Sequence, residues 1–132
     1  MDAAPASGAN DEGSSPVEFV LVGAILTALT LAVLQLGIAM YVRNIVHDAA
    51  VTGAFHAALA DVQPGEGAAR TEAIITQTLG GDIVDEVSVS ESTLAGEPAV
   101  TVTVAARVPL AGLLGVPRGW EVSASAPREE LD

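Results

Sequence analysis

The chain contains no cysteine and no lysine. The first absence removes disulfides, thiol nucleophiles and thiolate metal sites, and with them any redox clue to compartment. The second leaves five arginines to set against 17 acids, for a formal net charge of −12. A basic patch cannot form on such a surface, which argues against nucleic acid and anionic membrane surfaces as partners. The ordinary role of so many acids is a solvated face that keeps a protein soluble. Aromatics are nearly missing as well, being limited to Phe19, Tyr41, Phe55 and Trp120. Half of the 132 residues are hydrophobic, but alanine and valine make up much of that half and each buries little area. A small domain built from them needs support from a long helix of its own or from neighbouring subunits.

What the chain does have is one long uncharged run. Phe19 to Val42 is 24 residues without a charge. As an α-helix that is about 36 Å, against a hydrocarbon core of about 30 Å, enough to cross a bilayer with some tilt. A secretory signal would need a basic first region and a shorter apolar stretch. The leader here carries Asp2, Asp11 and Glu12 and no base, and Gly37 and Ala39 only imitate the small residues of a signal cleavage site. A buried helix of a soluble domain can also be apolar all round, but the length of this run in a small chain speaks against it. Ala24, Ala28 and Ala32 recur every four residues. They are either a stripe that lets helices approach closely in lipid or a consequence of abundant alanine. Arg43 is the only basic residue flanking the run; taken alone it favours a cytoplasmic carboxyl side, and a single arginine does not decide topology.

Glu18 stands at the mouth of this run, where an ionised carboxylate is costly to carry into lipid. Two compatible readings account for it. Ser15-Pro16-Val17-Glu18 fits a capping box, with Ser15 as N-cap, Pro16 at the first helical position and Glu18 beside the positive end of the helix dipole. Alternatively, a cut after Gly13 would place a new α-amino group on Ser14 and make Glu18 the fifth residue. The carboxylate would then pair with an opposite charge on the next molecule and fix axial register, because any slip leaves a charge unpaired in a low-dielectric setting.

Beyond Arg43, residues 45, 46, 49, 50, 53, 54, 57 and 58 keep a helical spacing of apolar and small side chains. They predict either one helix from Pro16 to about Ala60 or a membrane helix followed by a second one after a kink near Arg43. Pro64-Gly65 ends it. Ala68 to Leu79 reads as a short amphipathic helix burying Ile74, Ile75 and Leu79, with Gly80-Gly81 as its stop. Strand alternation follows at Val87 and Val89, then at Val100, Val102, Val104, Ala106 and Val108 after a turn around 95–98, and again at Trp120, Val122, Ala124 and Ala126. One apolar face on each predicts a three-stranded antiparallel meander lying against a helix. The connection 109–119 is unusually apolar, with Leu110, Leu113, Leu114 and Val116; it either folds back over the sheet edge or forms a contact surface. The tail 127–132 is charged and expected to fray.

The chemistry of an enzyme does not assemble. His47 and His56 are nine residues apart, which on one helix sets them on nearly opposite sides, unable to share a metal. Asp82, Asp85, Glu86 and Glu91 lack the calcium-loop spacing around a glycine. Nucleophile-elbow, phosphate-loop and dinucleotide fingerprints are missing, so the expectation is a non-enzyme with no cofactor, no metal and no small-molecule substrate.

Gly13-Ser14-Ser15-Pro16-Val17-Glu18-Phe19 resembles a prepilin leader, in which a peptidase cuts after the glycine and an acid stands fifth beyond the cut. The continuation Val17 to Gly23, then Gln35 to Asn44 and Asp48 to Ala54, is similar to the TadE-like family, minor pilins or pseudopilins of the tight-adherence pilus machinery. The resemblance implies cleavage between Gly13 and Ser14 by a prepilin peptidase, with Glu18 as recognition and assembly acid and Phe19 beside it. It implies as partners membrane lipid, other pilin subunits and the Tad assembly platform, in place of nucleic acid. It further implies a single pass through the cytoplasmic membrane, with a cytoplasmic leader and an extracytoplasmic carboxyl portion. Many family leaders carry basic residues before the glycine, where this chain has Asp11 and Glu12; losing residues 1–13 removes three acids and lowers the formal charge from −12 to −9.

The expected organisation is therefore a leader at 1–13, a transmembrane helix at 14–43, its extramembrane continuation at 44–62, a small α+β head at 63–126 and a tail at 127–132. The fold class is α+β and membrane-anchored: a long amino-terminal transmembrane helix extending into a pilin-like head with a short helix and a three-stranded antiparallel sheet. The rival is an uncleaved bitopic adaptor whose acidic head binds another envelope protein. A membrane-anchored hydrolase would need a convergent polar site that the sequence does not supply.

Overall fold

The computed structural model describes residues 7–59, 61–108 and 116–130. Two helices precede three strands: α1 (Ser7–Ala58), α2 (Pro64–Leu79), β1 (Val84–Leu94), β2 (Glu97–Val108) and β3 (Val116–Pro127). The protein is α+β with a long amino-terminal apolar helix, and α1 is long and apolar enough to cross a membrane. By contacts the chain divides into two units, residues 1–36 and residues 37–132, and α1 contributes to both.

The first unit consists of α1 alone among the described residues. From Gly13 to Leu34 every side chain is exposed, and Phe19 is 80% accessible. The Thr27 and Thr30 hydroxyls donate to the carbonyls of Gly23 and Leu26, each at 2.8 Å. Both threonine hydroxyls of the apolar stretch are thus satisfied within the helix, as a lipid environment would require. The start of α1 corrects the capping-box expectation. Helix runs through Ser15, which therefore does not cap it, and Pro16 is an interior residue. The stretch 7–13 contains no proline, and adding turns to a helix that already exists avoids the cost of nucleation.

In the second unit, α1 turns one face of small residues inward. Val42, Val46, Ala49, Ala50, Ala54, Ala57 and Ala58 join Ile75 of α2 and the inner sheet residues in a single core. The long helix thus supplies the support that a domain of alanines and valines needs. Tyr41 and Phe55 remain on the outside.

Pro64 opens α2, one turn earlier than the amphipathic pattern suggests. Gln63 is extended (φ −76°, ψ 141°) and Pro64 occupies the first turn, where its missing N–H has no partner to lose. Gly80 ends the helix at φ 95°, with its N–H donating to the Thr76 carbonyl at 3.1 Å. Ile75 is fully buried and Ile74 and Leu79 pack partly against the core, together with Gly67 and Thr71, which apolar patterning does not reveal.

The sheet is an antiparallel meander in the order β1-β2-β3. Val87 faces Val104 and Val122 across the ladders, and Val89 faces Val102 and Ala124, so the alternating apolar positions share one side. The β1–β2 turn is two residues long, Ala95 (φ 53°) and Gly96 (φ 88°). Positive φ at both central positions gives the twist that suits a tight hairpin, and Glu97 and Pro98 already belong to β2. On the outer side the Thr101 hydroxyl meets Ser92 Oγ at 2.7 Å and Ser125 Oγ at 2.6 Å, linking all three strands.

Two further expectations change. Strand β3 begins at Val116 instead of Trp120, while Leu110, Leu113 and Leu114 of the connection lie outside the described residues. The tail does not fray at Pro127. Arg128 N–H donates to the Pro98 carbonyl and Glu129 N–H to the Ala58 carbonyl, both at 2.9 Å, and Arg128 pairs with Glu91 at 2.7 Å. The last carbonyls of a helix have no intrahelical donor, and Glu129 supplies one to α1.

Candidate functional site

Gly13, Ser14, Glu18 and Phe19 all lie within α1 in the first unit and are all solvent-exposed. Ser14 and Glu18 are one turn apart and so share a face, while Phe19 lies a third of a turn further round. A Cβ built on Gly13 would have nothing within 4 Å. No element of the described chain covers this turn. Ala24, Ala28 and Ala32 share a face of the same helix by their four-residue spacing, and each is exposed. Gln35 is the one amide side chain of the apolar run; it already makes a polar contact.

Pro16 is the residue of this stretch whose place sequence patterning assigns wrongly. Its position between a serine pair and an apolar helix suggests a first-turn proline, and only the helical state of residues 7–15 shows it to be interior. No local signal marks it, since Gly8, Asn10 and Gly13 make the run from Ser7 to Gly13 poor in helix formers.

Ion pairs on the described part of the head include two made by arginines. Arg107 Nε donates to Asp85 Oδ1 at 2.7 Å and Arg128 Nη1 donates to Glu91 Oε1 at the same distance. Glu86 and Glu121 stand on either side of Ala105 across the outer face and line a shallow cleft of about 160 Å³ with Ser88, Thr103 and Trp120. His47 is exposed and His56 half-buried on α1. Among the described residues no group of three or more His, Cys, Asp or Glu is placed to hold a metal.

No curated protein and no solved structure matches the chain. A family model does match, over residues 13–54, and its description is TadE-like protein. The match opens at Gly13, takes in Glu18, Phe19 and the whole apolar run, and stops at Ala54 inside α1, leaving α2 and the sheet outside it. From Gly13 to Ala54, about a third of its length, the chain is similar to the TadE-like family.

Proposed function

We propose that the protein is a minor pilin or pseudopilin of a Tad-type, type IV-like pilus, cleaved after Gly13 by a prepilin peptidase and assembled for adherence or secretion. The TadE-like segment ties the chain to the Tad pilus, and the single apolar helix ties it to a membrane. The observation that carries the finer reading is that this match begins at Gly13 and runs through Glu18 into a helix of membrane-spanning length, followed by a small α+β head.

Cleavage is hydrolysis of one peptide bond. Water adds to the Gly13 carbonyl carbon, the bond to the Ser14 nitrogen breaks, and Gly13 leaves as a carboxylate while Ser14 becomes a charged amine. The peptidase supplies the catalytic groups. The chain supplies the glycine, which admits close approach of the enzyme, and Glu18 as the acid that is read. Once the polar leader is gone, the helix exchanges lipid for helix contacts through its small-residue face, Ala24, Ala28 and Ala32, where close packing gives association without a hydrophobic drive. Glu18 pairs with the amine of a neighbouring subunit and sets the axial register. Residues 14–43 form the membrane helix, the leader is cytoplasmic and the head extracytoplasmic. The partners are the peptidase, other pilin subunits and the assembly platform.

Mass spectrometry of protein extracted from membranes that contain the peptidase tests this. A new amino terminus at Ser14 is the expected result. A chain that keeps residues 1–13 in that setting overturns the pilin reading in favour of an uncleaved adaptor.

A further inference from the structure

The Gly13–Ser14 bond lies inside α1. In a helix each carbonyl accepts the N–H four residues on, and the peptide planes stack along the axis. A peptidase that must reach the Gly13 carbonyl carbon has to open this turn first. The local sequence makes that opening easy. Pro16 has no N–H to offer the carbonyl of Glu12, and its ring crowds that same carbonyl. It also biases Ser15 away from the helical region. Gly13 gains the most freedom on unwinding, and the Ser14 and Ser15 hydroxyls compete for backbone groups in non-helical conformations. Four consecutive residues, 13–16, thus weaken this turn of α1, and they precede an apolar run with no such defect before Gly23. Among the described residues, a Cβ built on Gly13 meets nothing within 4 Å.

We infer that Pro16 sets the rate of processing by keeping the helix through the Gly13–Ser14 bond openable, an inference that rests on the proposed cleavage. The position has a second consequence. In the precursor Pro16 is interior and weakens the helix; after the cut it is the third residue of the mature chain. There it falls in the first turn, where N–H groups have no intrahelical acceptor and a proline costs nothing. The same residue loosens the substrate and leaves the product intact.

The test uses the full chain in membranes with a prepilin peptidase, comparing the wild type with Pro16→Ala and Pro16→Gly by the time course of the Ser14 amino terminus. Alanine closes the turn, and cleavage is expected to slow about tenfold or more. Glycine opens it without a ring, and cleavage is expected to be about fivefold faster than for the alanine variant. Amide hydrogen exchange at residues 13–17 of the full chain in micelles should slow in the order wild type, glycine, alanine. Equal cleavage of wild type and Pro16→Ala overturns the inference while leaving the pilin reading standing. So does a glycine variant as slow as the alanine one, which would mean that the peptidase reads the ring itself. So does slowed cleavage of Pro16→Ala with unchanged exchange. A wild type that is never cut removes the cleavage reading and this inference with it.

Discussion

Gly53 of α1 and Gly67 of α2 meet backbone to backbone. A Cβ on Gly53 would lie 2.8 Å from the Gly67 carbonyl oxygen, and one on Gly67 would lie 2.7 Å from the Gly53 carbonyl oxygen. Each helix approaches the other at a place where the other has no side chain. The contact fixes how closely α2 sits on α1 within the head and therefore how the alanines around it are covered.

Gly67→Ala should accordingly unfold the head more readily. The new methyl meets Ala57 and the Gly53 carbonyl, which are backbone or short side chain and cannot swing aside, so the helices must separate. A loss of about 2–3 kcal/mol is expected, typical of overpacking in a tight core. Trp120, the only tryptophan, lies in the head, so its fluorescence during denaturant unfolding in detergent reports the loss. An unchanged midpoint would mean that the two helices are not held at this distance.

Thr71 is fully buried, and its hydroxyl donates to the Gly67 carbonyl at 2.9 Å, with the Ala49 carbonyl at 3.3 Å as an alternative acceptor. Thr71→Val keeps the shape and removes the donor. The expected cost is about 1–2 kcal/mol, a lost buried hydrogen bond without a cavity. Thr71→Ser keeps the donor and should recover part of that loss in the same unfolding measurement.

The tail separates two kinds of interaction. The Arg128–Glu91 pair is exposed, with side-chain accessibilities of 44% and 74%, so Arg128→Ala should change stability by no more than about 0.5 kcal/mol. Truncation after Pro127 removes backbone donors to the carbonyls of Pro98 and Ala58 as well, and about 1–2 kcal/mol is expected. Equal effects of the two changes would show that the terminal residues contribute nothing beyond their charge.

Glu18→Ala should leave membrane insertion intact, because the apolar run does not depend on it, while incorporation into pili falls strongly. Immunoblots of the membrane fraction and of sheared surface fibres measure the two separately. Undiminished incorporation would take Glu18 out of the assembly mechanism. Loss from the membrane fraction would instead mark it as a residue needed for folding or insertion.

Reading along the chain recovers elements whose cause is local. The alternation from Val100 to Ala106 needs only a period of two and an apolar side to declare a strand, and all four inward residues are buried. Gly80 declares a helix end because few other residues accept its φ of 95°. Gly13 and Glu18 stand out in the sequence only as a spacing, and the family match begins at Gly13; their roles belong to the proposed processing. Pro16 was misplaced because a proline signals a helix start only when nothing helical precedes it, and the state of residues 7–13 is not written in their own propensities. The roles of Gly53, Gly67 and Thr71 were invisible, since small or polar residues on a helix look alike until a second helix arrives.

Composition and periodicity alone determined that this chain carries one helix fit for lipid, a meander with a single apolar side, and a core poor in large side chains. Those properties follow from how many apolar groups there are and how far apart they stand. Folding in three dimensions decided which glycines touch and which carbonyls the last residues cap. Each of these depends on backbone groups distant in sequence coming within hydrogen-bonding or van der Waals reach, and no local pattern encodes such a distance.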